Sequence, residues 1–162
     1  MGVDHAAAKA SIEADERLLA RLALGADTLH ELGRDLLAQA PAPLCAKIVL
    51  GRRTVLMLAQ DGTGIDNAHF LDLKINTVFN CGHSSLWWFH HLRATGRVLS
   101  DVGWADPKTV IDMGGGVPLF AGPQIVGALA VSGLPHEDDH ALIMGAVHRI
   151  VEAGSNAEML WQ

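Results

Sequence analysis

Two pairs of short apolar runs constrain the fold of this chain more than any other feature. Leu44–Leu50 and Thr54–Leu58 flank the turn Gly51-Arg52-Arg53, and Val117–Phe120 and Ile125–Val131 flank Gly122-Pro123. Strand-length runs joined by a few Gly- or Pro-containing residues read as β-hairpins. Helical periodicity fills most of the remainder. Asp4–Ala23 carries an apolar face of Ile12, Leu18, Leu19 and Leu22, and Asp27 is placed to cap a second helix to about Ala40, stopped by Pro41 and Pro43. Asp66 or Asn67 is placed to cap a third helix to about Phe79. Ser84 does the same for a fourth, through Arg93 and ended by Gly96, and the last helix runs from about His136 to Ala153. Residues 97–113 read as irregular. Hairpins separated by grouped helices argue for an α+β fold with an antiparallel sheet rather than alternating βαβ units.

A chain of 162 residues with 49% hydrophobic and 19% charged residues suits one well-buried domain and excludes a disordered one. The formal net charge is −6 and no basic run is present, which argues against nucleic acid and anionic lipid as partners. Nine His make the charge strongly pH-dependent. Two cysteines, Cys45 and Cys81, form neither a disulfide framework nor a zinc pattern. No apolar run reaches membrane-spanning length, and the first residues lack a basic stretch followed by an apolar one. The expectation is a cytoplasmic protein with no membrane association.

Several local motifs carry chemistry. His136-Glu137-Asp138-Asp139-His140 matches H-E-x-x-H, which makes His136 and His140 candidate metal ligands with Glu137 as base. The competing reading is an acidic first helical turn that complements the helix dipole. Gly114-Gly115-Gly116 precedes a strand, so it is neither a P-loop nor a dinucleotide fingerprint; it permits close backbone approach or a tight bend. Trp87, Trp88 and Phe89 spread aromatic surface around one short helix, and this points to a subunit interface or a flat apolar ligand. His90 and His91 are helix neighbours pointing about 100° apart, so they do not chelate one ion together. Met113, Cys81 and the histidines are candidate axial ligands for a haem iron.

Taken in order, Asp61-Gly62-Thr63, Asn67, Lys74-Ile75-Asn76-Thr77-Val78, Gly82-His83-Ser84-Ser85, Gly114–Leu119 and Val131-Ser132-Gly133-Leu134-Pro135 with Asp139-His140 resemble the HbpS/GlcG-like haem-degrading-domain family. They are most similar to a small subfamily with G-G-x-x-P-I and V-S-G-L-P-x-x-x-D-H motifs. The resemblance covers about residues 20–153. It implies a profilin-like three-layer sandwich in which helices flank a central antiparallel sheet of about five strands. It also implies homo-oligomers built from dimers and, for some members, haem binding or degradation. Three positions depart from the pattern: Met113 stands where a His is usual, Val117 replaces an aromatic, and Trp87 and Trp88 stand where Tyr is usual.

The expected organisation is one domain over residues 1–153, with its N-terminal helix within 1–24, and a C-terminal tail over 154–162. The expected function is an oligomeric cytoplasmic binding protein for haem or another small molecule. Its candidate ligand-binding residues are Asn67, Lys74, His83, Ser84, Ser85, Met113, Gly114, Gly115, Ser132, Gly133, Asp139 and His140. Lys74 would pair with a ligand carboxylate or propionate, and Gly114, Gly115 and the start of the last helix would offer backbone N–H groups. Interface candidates are Trp87, Trp88 and Trp161. Two alternatives stand beside this: an assembly or adaptor protein without small-molecule chemistry, and a metal-dependent hydrolase using His136, Glu137 and His140. Whether the chain is an enzyme stays open.

Overall fold

The apolar runs become strands, and the two central ones are covered on both faces. The computed structural model describes residues 2–160, and places the hairpins as β1 (Cys45–Leu50) with β2 (Arg53–Ala59), and β3 (Gly116–Ala121) with β4 (Gln124–Ser132). The sheet has the order β2-β1-β4-β3 and is antiparallel throughout, so one strand of each hairpin meets at the centre, with Cys45 opposite Ser132 and Leu50 opposite Gly127. Pro118 sits on β3, an edge strand, where its missing N–H costs no ladder bond.

Period-2 alternation divides the core into two layers. Ala46, Ile48, Val117, Leu119, Leu129 and Val131 face three helices: α1 (His5–Leu19), α2 (Ala26–Gln39) and α5 (His136–Met159). The opposite face presents the small residues Cys45, Ala128 and Ala130, with Val49, to α3 (Ile65–Cys81). Small side chains let α3 approach closely: a Cβ on Gly116 would lie 2.9 Å from the Lys74 carbonyl oxygen. α4 (Ser85–Ala94) closes the end of the sandwich against α1 and α3. Its Trp88 and Leu92 build a satellite core with Val102, Ala105 and Val110, residues of the segment that reads as irregular and holds only a 3₁₀ turn at Leu99–Asp101.

The three-layer architecture agrees with expectation, but the sheet has four strands instead of about five. At the outer edge of β3, the Ser85 hydroxyl accepts the Gly116 N–H (2.9 Å) and donates to the Gly116 carbonyl (3.4 Å). Those two backbone groups point away from β4, where a further strand would pair, and a helix-end side chain satisfies them instead.

Helix ends differ in detail. Asp4 caps α1, accepting the Ala7 N–H, and α1 stops at Leu19, short of Ala23. Gly25 and Gly64, rather than Asp27 and Asp66, occupy the cap positions of α2 and α3. Asn67 lies inside α3 and reaches back to accept the Gly64 N–H at 2.9 Å. α5 continues past Ala153 to Met159, so the first part of the expected tail is helical. Trp161 lies outside the described residues. Among the described residues, no helix is long and apolar enough to cross a membrane.

The β1–β4 seam yields a stability test. A Cβ on Gly127 would run into the Val49 carbonyl oxygen and lie 2.9 Å from Leu50 Cδ2. Gly127→Ala is therefore expected to lose about 1–3 kcal/mol in urea unfolding, the usual range for overpacking. An unchanged midpoint would contradict the seam.

Candidate ligand-binding site

Lys74 is a cation on the buried face of α3, and its ammonium is almost fully withdrawn from solvent. It donates to the Val131 carbonyl oxygen (2.8 Å) and to Asp139 Oδ2 (2.9 Å), and the Lys74 and Asp139 side chains are 4% and 2% exposed. Asp139 Oδ1 accepts the Leu134 N–H at 3.1 Å. Burial pushes the lysine below and the carboxyl above their ordinary values, and each partner pulls the other back. A carboxylate accepting two N–H donors, beside an ammonium with two acceptors, is the hydrogen-bonded arrangement that a buried pair requires.

This pair forms the floor of a pocket of about 200 Å³ lined by Asn67, Phe70, Met113, Ser132, Gly133, Leu134 and His136 as well. Asn67, Phe70 and Lys74 share one face of α3 by their spacing of three and four. Gly115 makes the floor sterically possible. Its φ is +109°, and a Cβ there would lie 2.7 Å from Lys74 Nζ and 2.9 Å from Asp139 Cβ.

The polar groups of the pocket are donors. An ammonium has three protons, and Val131 and Asp139 take two of them. Asn67 Oδ1 is used by Gly64 N–H, so the amide presents Nδ2 to the Ser132 hydroxyl (3.3 Å), which is left able to donate its own proton. His136 Nδ1 accepts the Gly114 N–H at 2.9 Å, so the neutral ring carries its proton on Nε2. Burial pushes His136 below its ordinary value, Glu137 and Asp139 oppose this, and Lys74 and Arg93 add to it. The acceptors of these side chains are taken up internally: Asn67 Oδ1 by Gly64, His136 Nδ1 by Gly114, Ser132 Oγ by Asn67, and the two Asp139 oxygens by Lys74 and Leu134.

Of the candidates named from sequence, Asn67, Lys74, Met113, Ser132, Gly133 and Asp139 converge on this pocket. Gly114 and Gly115 lie against it, but the Gly114 N–H is spent on His136 rather than offered to a ligand. His83, Ser84 and His140 turn instead to α1. His83 Nδ1 meets Glu16 Oε2 (2.8 Å), the Ser84 N–H donates to Glu16 Oε1 (2.8 Å), and His140 Nε2 meets Asp15 Oδ2 (2.9 Å). Ser84 occupies the cap position of α4, but its hydroxyl makes no capping bond. Ser85 is committed to Gly116. His136 and His140 therefore serve separate partners, and among the described residues no group of three or more His, Cys, Asp or Glu side chains is arranged to hold a metal ion.

The aromatic residues of α4 are also used within the chain. Trp88 is 5% exposed in the satellite core, and Trp87 stacks between His83 (3.8 Å) and His91 (4.7 Å). Sequence reasoning missed Phe70; it placed the site near the turn from Ser132 to His140 without naming Leu134 or His136 as lining residues. The helical spacing from Asn67 to Lys74 already contained the signal for Phe70.

Fold and pocket together define a three-layer, single-sheet domain with a donor-lined cleft where α3, the end of β4 and the start of α5 meet. The chain belongs to the family described as haem degrading protein HbpS-like, whose model matches residues 24–148. It is 30% identical over 146 residues to the UPF0303 protein SCO2848 of Streptomyces coelicolor, covering 88% of this chain and 92% of that one. A UPF0303 protein of Edwardsiella ictaluri is 30% identical over 148 residues, with 89% and 94% covered. Among solved structures, the Ybr137w protein superposes with a TM-score of 0.79 at 18% identity, covering 90% of this chain and 88% of that one. The PduOC:heme complex superposes with a TM-score of 0.64 at 21% identity, covering 78% and 94%. These structural likenesses bear on the fold.

Two tests follow from the site. Lys74→Met alone is expected to cost about 3–5 kcal/mol, because it leaves Asp139 buried without its partner, whereas Lys74→Met with Asp139→Leu costs less than the single change. Denaturant unfolding of the three proteins decides this. Burial also pushes His90 and His91 below 6.5, the former helped by His5 and the latter by Lys9, as it does His136. Groups lowered in the folded state stabilise above the unfolded value, and that contribution is lost as pH falls. The thermal midpoint should therefore drop between pH 7 and pH 5, and a rise would contradict these environments.

Proposed function

We infer that this chain is a small-molecule binding protein whose pocket takes a ligand by a carboxylate or other anionic oxygen. The observation that carries this reading is the donor set gathered around one buried ammonium: Lys74, Asn67, Ser132 and His136, with Asp139 closed to outside donors. Such a set favours an anionic acceptor and leaves a cationic ligand unpartnered.

Haem is the ligand to which the family and the heme-bound relative point, and its propionates match the donors. The cavity of about 200 Å³ is smaller than the roughly 300–1,000 Å³ that encloses a drug-sized ligand. A cavity of this size would take a propionate arm, held by Lys74, Asn67, Ser132 and His136. Met113, 37% exposed at the pocket, offers a thioether toward iron. His136 does not, because its Nδ1 is bonded to Gly114 and its Nε2 carries the proton. When bound, haem supplies redox-active iron; the chain's own residues bind the carboxylate and orient it. Self-association and a cytoplasmic setting belong to the same reading. The free cysteines Cys45 and Cys81 support the second.

Hemin titration followed at the Soret band tests this. Wild type is expected to give a stoichiometric shift, weakened several-fold by Asn67→Ala and altered in spectrum by Met113→Ala. No shift with wild type would remove haem as the ligand, and identical titrations of all three proteins would remove this pocket as its site.

A further inference from the structure

Outside the pocket, a second pair of groups faces each other across the α1–α4 seam. His5, the first residue of α1, and His90, buried in the middle of α4, bring their Nδ1 atoms to 2.9 Å, with ring centroids 5.2 Å apart. Their separation in sequence is 85 residues, so the fold, not local geometry, aims the two nitrogens at each other. Phe89 packs edge-on to both rings, 6.5 Å from His5 and 5.0 Å from His90.

Two imidazoles at this distance share one proton, and the same separation is that of two nitrogens on one ion once each ring tilts its lone pair off the line between them. Nitrogens bound at about 2.0–2.1 Å and at right angles to each other are about 2.9 Å apart, whereas a tetrahedral ion holds them at about 3.3–3.4 Å. Right-angle nitrogen ligation is the preference of Cu²⁺ and Ni²⁺. We propose that His5 and His90 form a two-histidine site for a divalent transition metal, which bridges the start of α1 to α4 and takes Cu²⁺ most tightly.

Binding needs both Nδ1 lone pairs, so the ring that donates in the metal-free pair moves its proton to Nε2. Burial, with the neighbouring His5, shifts His90 below its ordinary value, toward the neutral form that ligates. Glu137 of α5 acts on His90 in favour of a cation, while His136 of α5 and Arg93 of α4 act against it. The chain supplies two ligands and water completes the coordination. The site lies on different residues from the H-E-x-x-H sequence and does not depend on the pocket.

Calorimetric titration of the full chain with copper sulfate at pH 7.5 tests this, using wild type, His5→Gln, His90→Gln and the double variant. One site per chain is expected in wild type. Either single variant should weaken it more than about tenfold by breaking the chelate, the double variant by less than the sum of the two single losses, and zinc should bind more weakly than copper. Electron paramagnetic resonance of the wild-type complex should report two equivalent nitrogens, a signature that a general fold defect does not produce. His5 is half-buried at a helix end, so His5→Gln tests the site even if His90→Gln unfolds. Coincident isotherms for wild type and His5→Gln, losses that add in the double variant, or no copper uptake by wild type would each overturn the proposal.

Discussion

The ion pair between Lys74 and Asp139 is the constraint around which the rest of the molecule is arranged. Removing two charges from water costs several kcal/mol each, so the pair survives only with complete hydrogen bonding. Val131 at the end of β4 and Leu134 in the following turn supply that bonding. One interaction therefore ties α3, β4 and the first turn of α5 together. The glycine run before β3 belongs to the same constraint. Gly115 leaves room for the ammonium, and Gly116 leaves room for the backbone of the helix that carries it.

The polarity of the pocket follows from this pair. Asp139 spends its acceptors internally, so the groups left at the cleft are donors. Asn67 and His136 are turned the same way by bonds on their far sides, from Gly64 and Gly114. Backbone N–H groups thus fix the outward character of two side chains, and the binding chemistry is set by partners that never touch a ligand.

Much of the fold was legible because its determinants are local. Gly51 and Gly122, with φ near +60°, turn each hairpin between apolar runs, and the helical faces repeat at the expected spacing. Which strands meet at the centre is a long-range matter, and the three-layer arrangement came from the family resemblance. The fifth strand failed because Ser85 bonds the edge that a strand would have extended. At the site, Lys74 came from the family resemblance, in the stretch Lys74-Ile75-Asn76-Thr77-Val78. Among the three adjacent acids Glu137, Asp138 and Asp139, helical position alone did not say which turns inward; the family motif singled out Asp139. The next residue, His140, points about 100° further around α5 and meets Asp15 instead, so a motif that is contiguous in sequence divides between two partners. His83, Ser84 and His140 are thus residues that hold α1 in place.

The central claim, that Lys74 is a buried, charged donor facing a ligand's anionic oxygen, is most directly tested by nitrogen-detected NMR of the lysine side chains. The account predicts one ammonium resonance at pH 7 that is protected from solvent exchange, absent in an Asp139→Asn variant, and shifted when propionate is added. A neutral amine at Lys74, or a protected ammonium that propionate leaves unmoved, would contradict it.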